Sequence, residues 1–226
     1  MESISFQRPD GAICPGLLAN SNAGANAPGV VLLPEWWGLR EQIKGVATRL
    51  AAEGFRVVLP DLYRGKVAAD ATEAESLSTT LNTLDAVDQD VAGALGLLKS
   101  FGKRCGVMGY CMGGALGVLA ASRLPQVDAT VSFYGLPDRP PVNAATLRAP
   151  FQGHFASRDR WITPARVDQL EKELNQTTTR FELYRYEADH AFCNETRDQV
   201  YNAAHATTAW NRTVGFLWTW LQDVEA

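Results

Sequence analysis

The chain has 226 residues, of which 46% are hydrophobic and 20% are charged, and these proportions exclude a disordered or fibrous protein. This length fits one α/β domain spanning residues 1–226. The formal net charge of −4, without a basic run, argues against both nucleic acid and an anionic membrane as partners.

The sequence predicts neither a membrane span nor an export signal. The longest apolar stretches, around 30–33 and 115–121, are far shorter than the roughly 18 residues that a span requires. The N-terminus lacks the basic and apolar regions of a signal peptide, and four cysteines do not make a disulfide framework. We therefore expect a cytoplasmic protein with reduced thiols, and a monomer.

The predicted elements alternate between strands and helices after an opening antiparallel hairpin, whose strands cover Ile4, Phe6 and residues 13–18 around the turn at 9–11. They are strand 30–33, helix 40–53, strand 55–59, a helical region 70–100 with a break, strand 105–108, helix 112–123, strands 127–133 and 149–154, helix 164–175, strand 181–186 and helix 197–221. This order predicts a doubly wound α/β domain with a mostly parallel sheet. Ligands bind beyond the carboxyl ends of such strands, so the residues that follow each strand are the site candidates.

The most informative motif lies between strand 105–108 and the next helix. Gly109-Tyr110-Cys111-Met112-Gly113 has the G-x-S-x-G pattern of a nucleophile elbow, with cysteine in the nucleophile position. Such a sharp turn requires small flanking residues and exposes its central side chain above the sheet. The helix that follows points its N-terminus at the thiol, which favours the thiolate. The alternative is a glycine-rich turn that contains an inert cysteine.

A catalytic triad on this fold has the chain order nucleophile, acid, base. Asp159 follows one predicted strand and His190 follows the last one. His190 would accept the proton of Cys111 or pair with its thiolate, and would then protonate the leaving oxygen. Asp159 would orient the imidazole and stabilise its cation. We expect His154, inside a predicted strand, in the core and His205, within the last predicted helix, on the surface.

Two backbone N–H groups must receive the oxyanion that develops on the substrate. The expected donors are Met112, directly after the nucleophile, and Trp36, in the loop after strand 30–33. Glu35 places a carboxylate beside two tryptophans at the mouth of the predicted site. Buried there, it would have a raised pKa and could exchange a proton with Cys111. The alternative is an ordinary glutamate of a surface loop.

These motifs together resemble the dienelactone hydrolase family, and the likeness extends over nearly the whole chain. The motifs are residues 109–114, Pro34-Glu35-x-x-Gly38, Pro60-Asp61-Leu62-Tyr63, Ser132-Phe133-Tyr134-Gly135 and the Asp159/His190 pair. The resemblance implies an α/β-hydrolase fold without a lid domain. It also implies hydrolysis of carboxymethylenebutenolide to maleylacetate by a Cys-His-Asp triad, without a metal or organic cofactor. The glutamate that matches Glu35 is implied to help activate the thiol when substrate binds.

The sequence departs from the family where two arginines bind the substrate carboxylate. The matching positions hold Gly65 and Asn194. Arg64 and Lys66 flank the first position, and either could supply the cation after a small shift of the loop. Arg64 is the candidate named for substrate contact, whereas Asn194 offers hydrogen bonds to a carboxylate without a charge. The other arginines near the predicted site, Arg158, Arg160 and Arg197, are alternative cations that could compensate, although exposure to solvent is the commoner fate of each.

Aromatic residues that follow strands complete the candidates for substrate contact. Trp37 and Tyr134 are placed in this group, and the alternative for the tryptophans near strand ends is the ordinary core. Cys193, near His190, has no second cysteine or histidine at ligand spacing, so no metal site is predicted.

Three functions are consistent with these residues. The leading one is hydrolysis of a small anionic lactone such as dienelactone through an acyl-enzyme. The second keeps the triad and assigns another ester or thioester, as the missing arginines allow. The third is a thiol-sensing or binding protein without catalysis, and the retained order Cys111, Asp159, His190 argues against it.

Overall fold

The computed structural model describes residues 1–24, 27–138, 140–141 and 143–222, so the last four residues of the predicted domain lie outside it. Its strands form one eight-stranded sheet with the order β1-β2-β4-β3-β5-β6-β7-β8. The strands are β1 (Glu2–Gln7), β2 (Ile13–Ala19), β3 (Gly29–Leu33), β4 (Arg56–Pro60), β5 (Cys105–Tyr110), β6 (Ala129–Phe133), β7 (Phe151–Ala156) and β8 (Phe181–Tyr186).

The sheet is parallel except at its N-terminal edge. Strand β1 pairs antiparallel with β2, and β2 pairs antiparallel with β4, whereas the remaining neighbours are parallel. Every residue of β3 to β7 is buried, as expected for apolar strands that are covered on both faces. The prediction of a mostly parallel α/β sheet with an antiparallel N-terminal hairpin is confirmed.

Helices cover both faces of the sheet, and the sheet separates two apolar clusters. The α-helices are α1 (Glu41–Ala52), α2 (Ala71–Thr80), α3 (Thr83–Asp85), α4 (Ala92–Lys99), α5 (Met112–Arg123), α6 (Pro164–Leu174) and α7 (Ala203–Leu221). Helices α1 and α7 pack on one face, and α4, α5 and α6 pack on the other. Among the described residues, no helix combines the length and apolarity needed to cross a bilayer.

The helical region 70–100 is broken, as predicted, between α2 and α3. A π-helical turn, Ala86–Val91, then leads directly into α4, and it carries the buried Asp90. Helix α2 is only loosely packed, since Ala74 is its one buried residue. This loose packing leaves room between α2 and the sheet-covering helix α5, where a cavity lies.

The last helix begins later than predicted. It starts at Ala203 rather than at residue 197, because the side chain of Asn202 accepts the N–H of His205 and caps the helix there. The prediction that His205 is a surface residue in mid-helix was therefore wrong. It lies half-buried in the first turn, with its ring 5.6 Å from that of Tyr186.

Candidate active site

The carboxyl ends of the parallel strands bring together four of the predicted site residues. Glu35 follows β3, Cys111 follows β5, Asp159 follows β7 and His190 follows β8. Since the ends of parallel strands share one edge of the sheet, residues far apart in sequence become neighbours there.

The turn that carries Cys111 is strained and depends on glycines. Cys111 has φ 51° and ψ −114°, which L residues rarely adopt. A Cβ on Gly109 would lie 2.2 Å from the carbonyl oxygen of Gly113, and a Cβ on Gly113 would lie 2.4 Å from that of Leu33. Only glycine fits these contacts, so the sequence pattern produces a nucleophile elbow.

His190 connects the thiol to the carboxylate. Its Nε2 lies 3.2 Å from the Sγ of Cys111, and its Nδ1 lies 2.7 Å from the Oδ2 of Asp159. The other oxygen, Oδ1, accepts the N–H groups of Trp161 at 2.8 Å and Ile162 at 3.0 Å. Because both carboxylate oxygens are engaged and the Asp159 side chain is fully buried, the imidazole is held with Nε2 directed at sulfur.

Two aromatic rings confine the imidazole. The ring centroids of Tyr134 and Trp161 lie 5.0 and 4.9 Å from that of His190, both in edge-on arrangements. Tyr134 is fully buried, whereas Trp161 is 66% exposed and forms part of the rim. The histidine is therefore fixed from the protein side and covered from the solvent side.

Cys111 is a buried thiol whose surroundings disfavour the thiolate. Burial raises its pKa to about 12, and the negative charges of Glu35 and Asp159 act in the same direction. The N–H of Met112 at the start of α5 acts oppositely but is outweighed. The thiolate expected from the helix N-terminus is thus not the resting form, and attack requires an acceptor for the thiol proton.

Glu35 is buried, and its hydrogen-bond donors are neutral side chains, while the positive charge of Arg197 also favours its carboxylate. It is 5% exposed, so it is not the surface-loop residue of the alternative interpretation. The Asn194 amide donates to one oxygen at 2.9 Å, and the Tyr134 hydroxyl donates to the other at 3.2 Å. Burial raises the pKa of Glu35, and these hydrogen bonds oppose the rise only in part. The polar groups of Asn194 and Tyr134 therefore position Glu35.

The two expected oxyanion donors are available and are braced by a residue that the sequence analysis did not select. Among the described residues, the Trp36 N–H has no hydrogen-bond acceptor, and Met112 is the first residue of α5. The Tyr63 hydroxyl donates to the Trp36 carbonyl at 3.1 Å and lies 3.4 Å from the Met112 Sδ. The signal for Tyr63 was its place directly after β4, in a motif that was used only for the resemblance.

The structure does not bring Arg64 to the site. Its guanidinium binds both oxygens of Asp90, at 2.7 and 2.9 Å, and donates to the Asp61 carbonyl at 2.7 Å. Asp90 is 1% exposed and needs a positive partner, which Arg64 and Arg8 supply. The expectation that Arg64 contacts substrate is therefore replaced by a structural role.

A cavity of about 540 Å³ opens above Cys111 and His190. Trp36, Trp37 and Tyr134 line it, so these aromatic residues belong to its wall. Asn194 lies instead in an adjoining cavity of about 250 Å³, on the other side of Glu35. Among the predicted substrate contacts, Tyr134 thus lines the larger cavity, Asn194 the smaller one and Trp37 both, whereas Arg64 lines neither.

Arg197 lines both cavities. Within the described part of the chain it is the only arginine or lysine in the wall of the larger cavity, and its guanidinium has no hydrogen bond or ion pair there. By contrast, Arg158 pairs with Asp189 at 3.0 Å, and Arg160 is exposed outside the cavity. Arg197 is therefore the positively charged arginine that shares the larger cavity with Cys111 and His190.

No group of three histidine, cysteine or acidic residues that could hold a metal occurs among the described residues. Cys193 lines a separate cavity of about 150 Å³, next to Tyr110 and Trp210. Cys193 therefore does not share the cavity that Cys111 and His190 line.

Comparisons with known proteins agree with this geometry. The model of the dienelactone hydrolase family matches residues 14–221. "Protein usf" of Aquifex pyrophilus is 34% identical, with 95% of this chain and 96% of that protein covered. A protein of Aquifex aeolicus named "Putative carboxymethylenebutenolidase" is 32% identical, with 86% of this chain and 89% of that protein covered.

A crystal structure from Klebsiella pneumoniae, titled "Putative Dienelactone Hydrolase", superposes with a TM-score of 0.82 at 25% identity and covers 96% of this chain and 98% of that chain. The family match and the name of the Aquifex aeolicus relative point to hydrolysis of small esters or lactones. The chain belongs to the dienelactone hydrolase family and is a carboxylic ester hydrolase with the α/β-hydrolase fold.

Proposed function

We propose that Cys111, His190 and Asp159 are the catalytic triad of a lactone hydrolase that opens a small anionic lactone such as dienelactone. The observation that carries this proposal is the continuous hydrogen-bond chain from Asp159 through His190 to the Cys111 sulfur, at the floor of the cavity. The name of the Aquifex aeolicus relative supports a lactone as the substrate.

In the proposed reaction, the Cys111 sulfur attacks the lactone carbonyl carbon while His190 Nε2 accepts the thiol proton. The negative carbonyl oxygen of the tetrahedral intermediate is received by the N–H groups of Trp36 and Met112. Collapse breaks the ring C–O bond, and His190 returns its proton to the leaving oxygen, which stays attached to the acyl chain. A water molecule, deprotonated by His190, then hydrolyses the thioester and restores the thiol.

Glu35 is proposed as a second acceptor for the Cys111 proton. Its pKa is raised by burial, which brings it closer to that of a thiol, and its charge opposes a thiolate at rest. A substrate that displaces Asn194 or Tyr134 from the carboxylate would free Glu35 to accept a proton. The neutral hydrogen-bond partners make such a release less costly than breaking an ion pair would be.

We further propose that Arg197 binds the carboxylate of an anionic lactone. Its guanidinium has no hydrogen bond or ion pair within the described residues, its positive charge acts on Glu35 and Cys111, and it lines the same cavity as the thiol. This assigns to Arg197 the role that the sequence analysis gave to Arg64.

The test is steady-state hydrolysis of cis- and trans-dienelactone beside p-nitrophenyl acetate, with Cys111→Ala, Arg197→Gln and the exposed control Arg160→Gln. We expect the lactones to have the higher kcat/KM, Cys111→Ala to be inactive, and only Arg197→Gln to raise KM for the lactones, by about tenfold. Activity that survives in Cys111→Ala would overturn the triad.

A second candidate function, hydrolysis of neutral esters by the same triad, is favoured by the apolar character of the cavity wall away from Arg197. It predicts a higher kcat/KM for p-nitrophenyl acetate than for either lactone. It also predicts that Arg197→Gln leaves kcat/KM unchanged for all three substrates. A thiol-sensing role is disfavoured, because burial keeps Cys111 protonated and hence poorly nucleophilic.

A further inference from the structure

The catalytic cavity extends well beyond the triad, into a narrow apolar region between α5 and the α2–α3 segment. We call this region the apolar arm and define it by Leu81, Leu116, Leu119, Leu136 and Ile162. We propose that the apolar arm binds an unbranched apolar acyl chain of the substrate. The proposal rests on the proposed triad and goes beyond the lactone, because it names an ester substrate of that triad whose acyl half is an apolar chain.

The direction of the arm follows from the helix that forms its floor. Cys111 directly precedes α5, and both Leu116 and Leu119 of this helix line the cavity. At 1.5 Å per residue, the rise from Cys111 to Leu119 is about 12 Å. The cavity therefore continues for about two helical turns away from the sulfur, which suits an extended chain whose carbonyl end is attached to that sulfur.

The opposite wall is also uncharged. Leu81, between α2 and α3, is half-buried, and Ser78 contributes the polar surface of α2. The charged lining residues lie elsewhere: Glu35 and Arg197 flank the catalytic end, and Asp138 pairs with Arg166 in solvent. A charged group in the arm would lose its hydration without a partner, so the arm selects apolar groups.

Four of the residues that line the arm are packed in the core, since Leu116, Leu119, Leu136 and Ile162 are 2–6% exposed, and the open space lies towards the loosely packed α2. Helix α2 contributes a single buried residue, Ala74, and Leu77 and Leu81 are only partly buried. The whole cavity, at about 540 Å³, is within the usual range for sites that enclose a complete small-molecule ligand. A compact lactone at the thiol would leave the arm empty, whereas an acyl chain would exclude the water from it.

The acyl half is assigned to the arm, rather than the leaving alcohol, because of the strained elbow. Cys111 caps α5, so the group bonded to sulfur starts at the first turn of that helix, next to Ala115 and Leu116. The exposed Trp161 and the half-buried Trp36 border the opening, where a leaving alcohol can depart. An acyl chain would stay in the arm through both the formation and the hydrolysis of the thioester.

The first experiment measures kcat/KM of the wild-type enzyme for p-nitrophenyl acetate, butyrate, hexanoate, octanoate and laurate. Burial of each added methylene should raise kcat/KM about fourfold until the chain reaches Leu119, after which the gain should stop. The matched series of hexyl and octyl acetates, with the chain in the alcohol, should show no such rise. A flat acyl series, or a rise in the alcohol series instead, would overturn the assignment.

Two variants test whether the acyl chain binds in the arm. Leu119→Phe should shift the preference towards shorter acyl chains, because the larger ring shortens the arm. Leu81→Gln, at a half-buried position, should lower the octanoate-to-acetate ratio of kcat/KM severalfold. Leu124→Phe, just beyond α5 and outside the cavity wall, is the control and should keep the wild-type chain-length profile. Unchanged profiles in both arm variants would overturn the proposal.

Failure of this proposal is distinguishable from failure of the proposed function. If the acyl series is flat and Cys111→Ala is inactive on every ester, the triad stands and the arm has no role. If Cys111→Ala retains turnover, the triad itself is wrong, whatever the chain-length profile shows.

Discussion

Tyr63 joins the two backbone segments that would receive the oxyanion. Its hydroxyl contacts the Trp36 carbonyl and the Met112 sulfur from a buried position. A Cβ on Gly38 would lie 3.1 Å from the Tyr63 ring, which shows how closely the loop after β3 packs on it. Oxyanion donors act only when they are held in position before the reaction, so a hydroxyl that orients them affects turnover rather than substrate affinity.

Removing that hydroxyl should therefore slow the reaction. We expect Tyr63→Phe to lower kcat for p-nitrophenyl acetate about tenfold with little change in KM, since the loss of an entire donor typically costs about a hundredfold or more. Tyr184→Phe, which removes a hydroxyl bonded to Glu182 at the surface, is the matched control. A raised KM at constant kcat would show that Tyr63 has no part in orienting the donors.

The protonation of Cys111 gives a second expectation at the residue scale. Because burial raises its pKa to about 12, iodoacetamide should modify it slowly near neutral pH and faster as the pH rises. Glu35→Gln removes a negative charge that raises this pKa, so the variant should react severalfold faster in alkaline solution. Mass spectrometry of the peptide that contains Cys111 separates it from the other three cysteines. Rapid modification near neutral pH would contradict the buried thiol.

The π-helical turn before α4 ties the loop after β4 to the rest of the molecule. It carries Asp90, whose carboxylate holds Arg64 directly beside Tyr63. The sequence predicted the helix and its break, since apolar spacing and turn residues are local signals. The partner of Arg64 was not predicted, because the pairing joins two elements through tertiary packing.

Removing the negative charge of Asp90, which pairs with Arg64, should destabilise the folded protein. Asp90→Asn leaves Arg64 and Arg8 without their buried counter-charge, and we expect a loss of about 3 kcal/mol in the free energy of unfolding, measured with urea. Asp88→Asn, which removes a surface partner of Arg123, should cost less than about 1 kcal/mol. Equal losses in the free energy of unfolding would show that an ion pair with the buried Asp90 stabilises the protein no more than a surface ion pair does.

His154 lies in the interior of the molecule and does not line the cavity of the candidate active site. It is fully buried, accepts or donates hydrogen bonds with Tyr186, Gln152 and Thr213, and stacks on Phe133. Its expected place in the core is thus confirmed. Burial, together with the positive charge of Arg212, lowers its pKa from 6.5 to about 3.

This buried histidine should make the protein sensitive to acid. Below pH 6.5 the unfolded chain binds a proton that the folded protein excludes until about pH 3, so stability falls as the pH decreases between these values. The His154 contribution should approach about 1.4 kcal/mol per pH unit. We expect urea unfolding of His154→Gln to show a shallower pH dependence than that of the wild type. The same slope in both would refute this role.

The sequence alone determined the fold class, the elbow around Cys111 and the order of the candidate triad. Apolar strand runs, the glycines of the turn and the positions after strands are local patterns that need no knowledge of packing. The tertiary structure decided that Cys111 rests as a thiol, that Arg64 binds Asp90 while Arg197 faces the cavity, and that Tyr63 braces Trp36. The shape of the apolar arm also arises only there. Burial and charge pairing depend on which distant segments meet, and that is settled only when the chain packs.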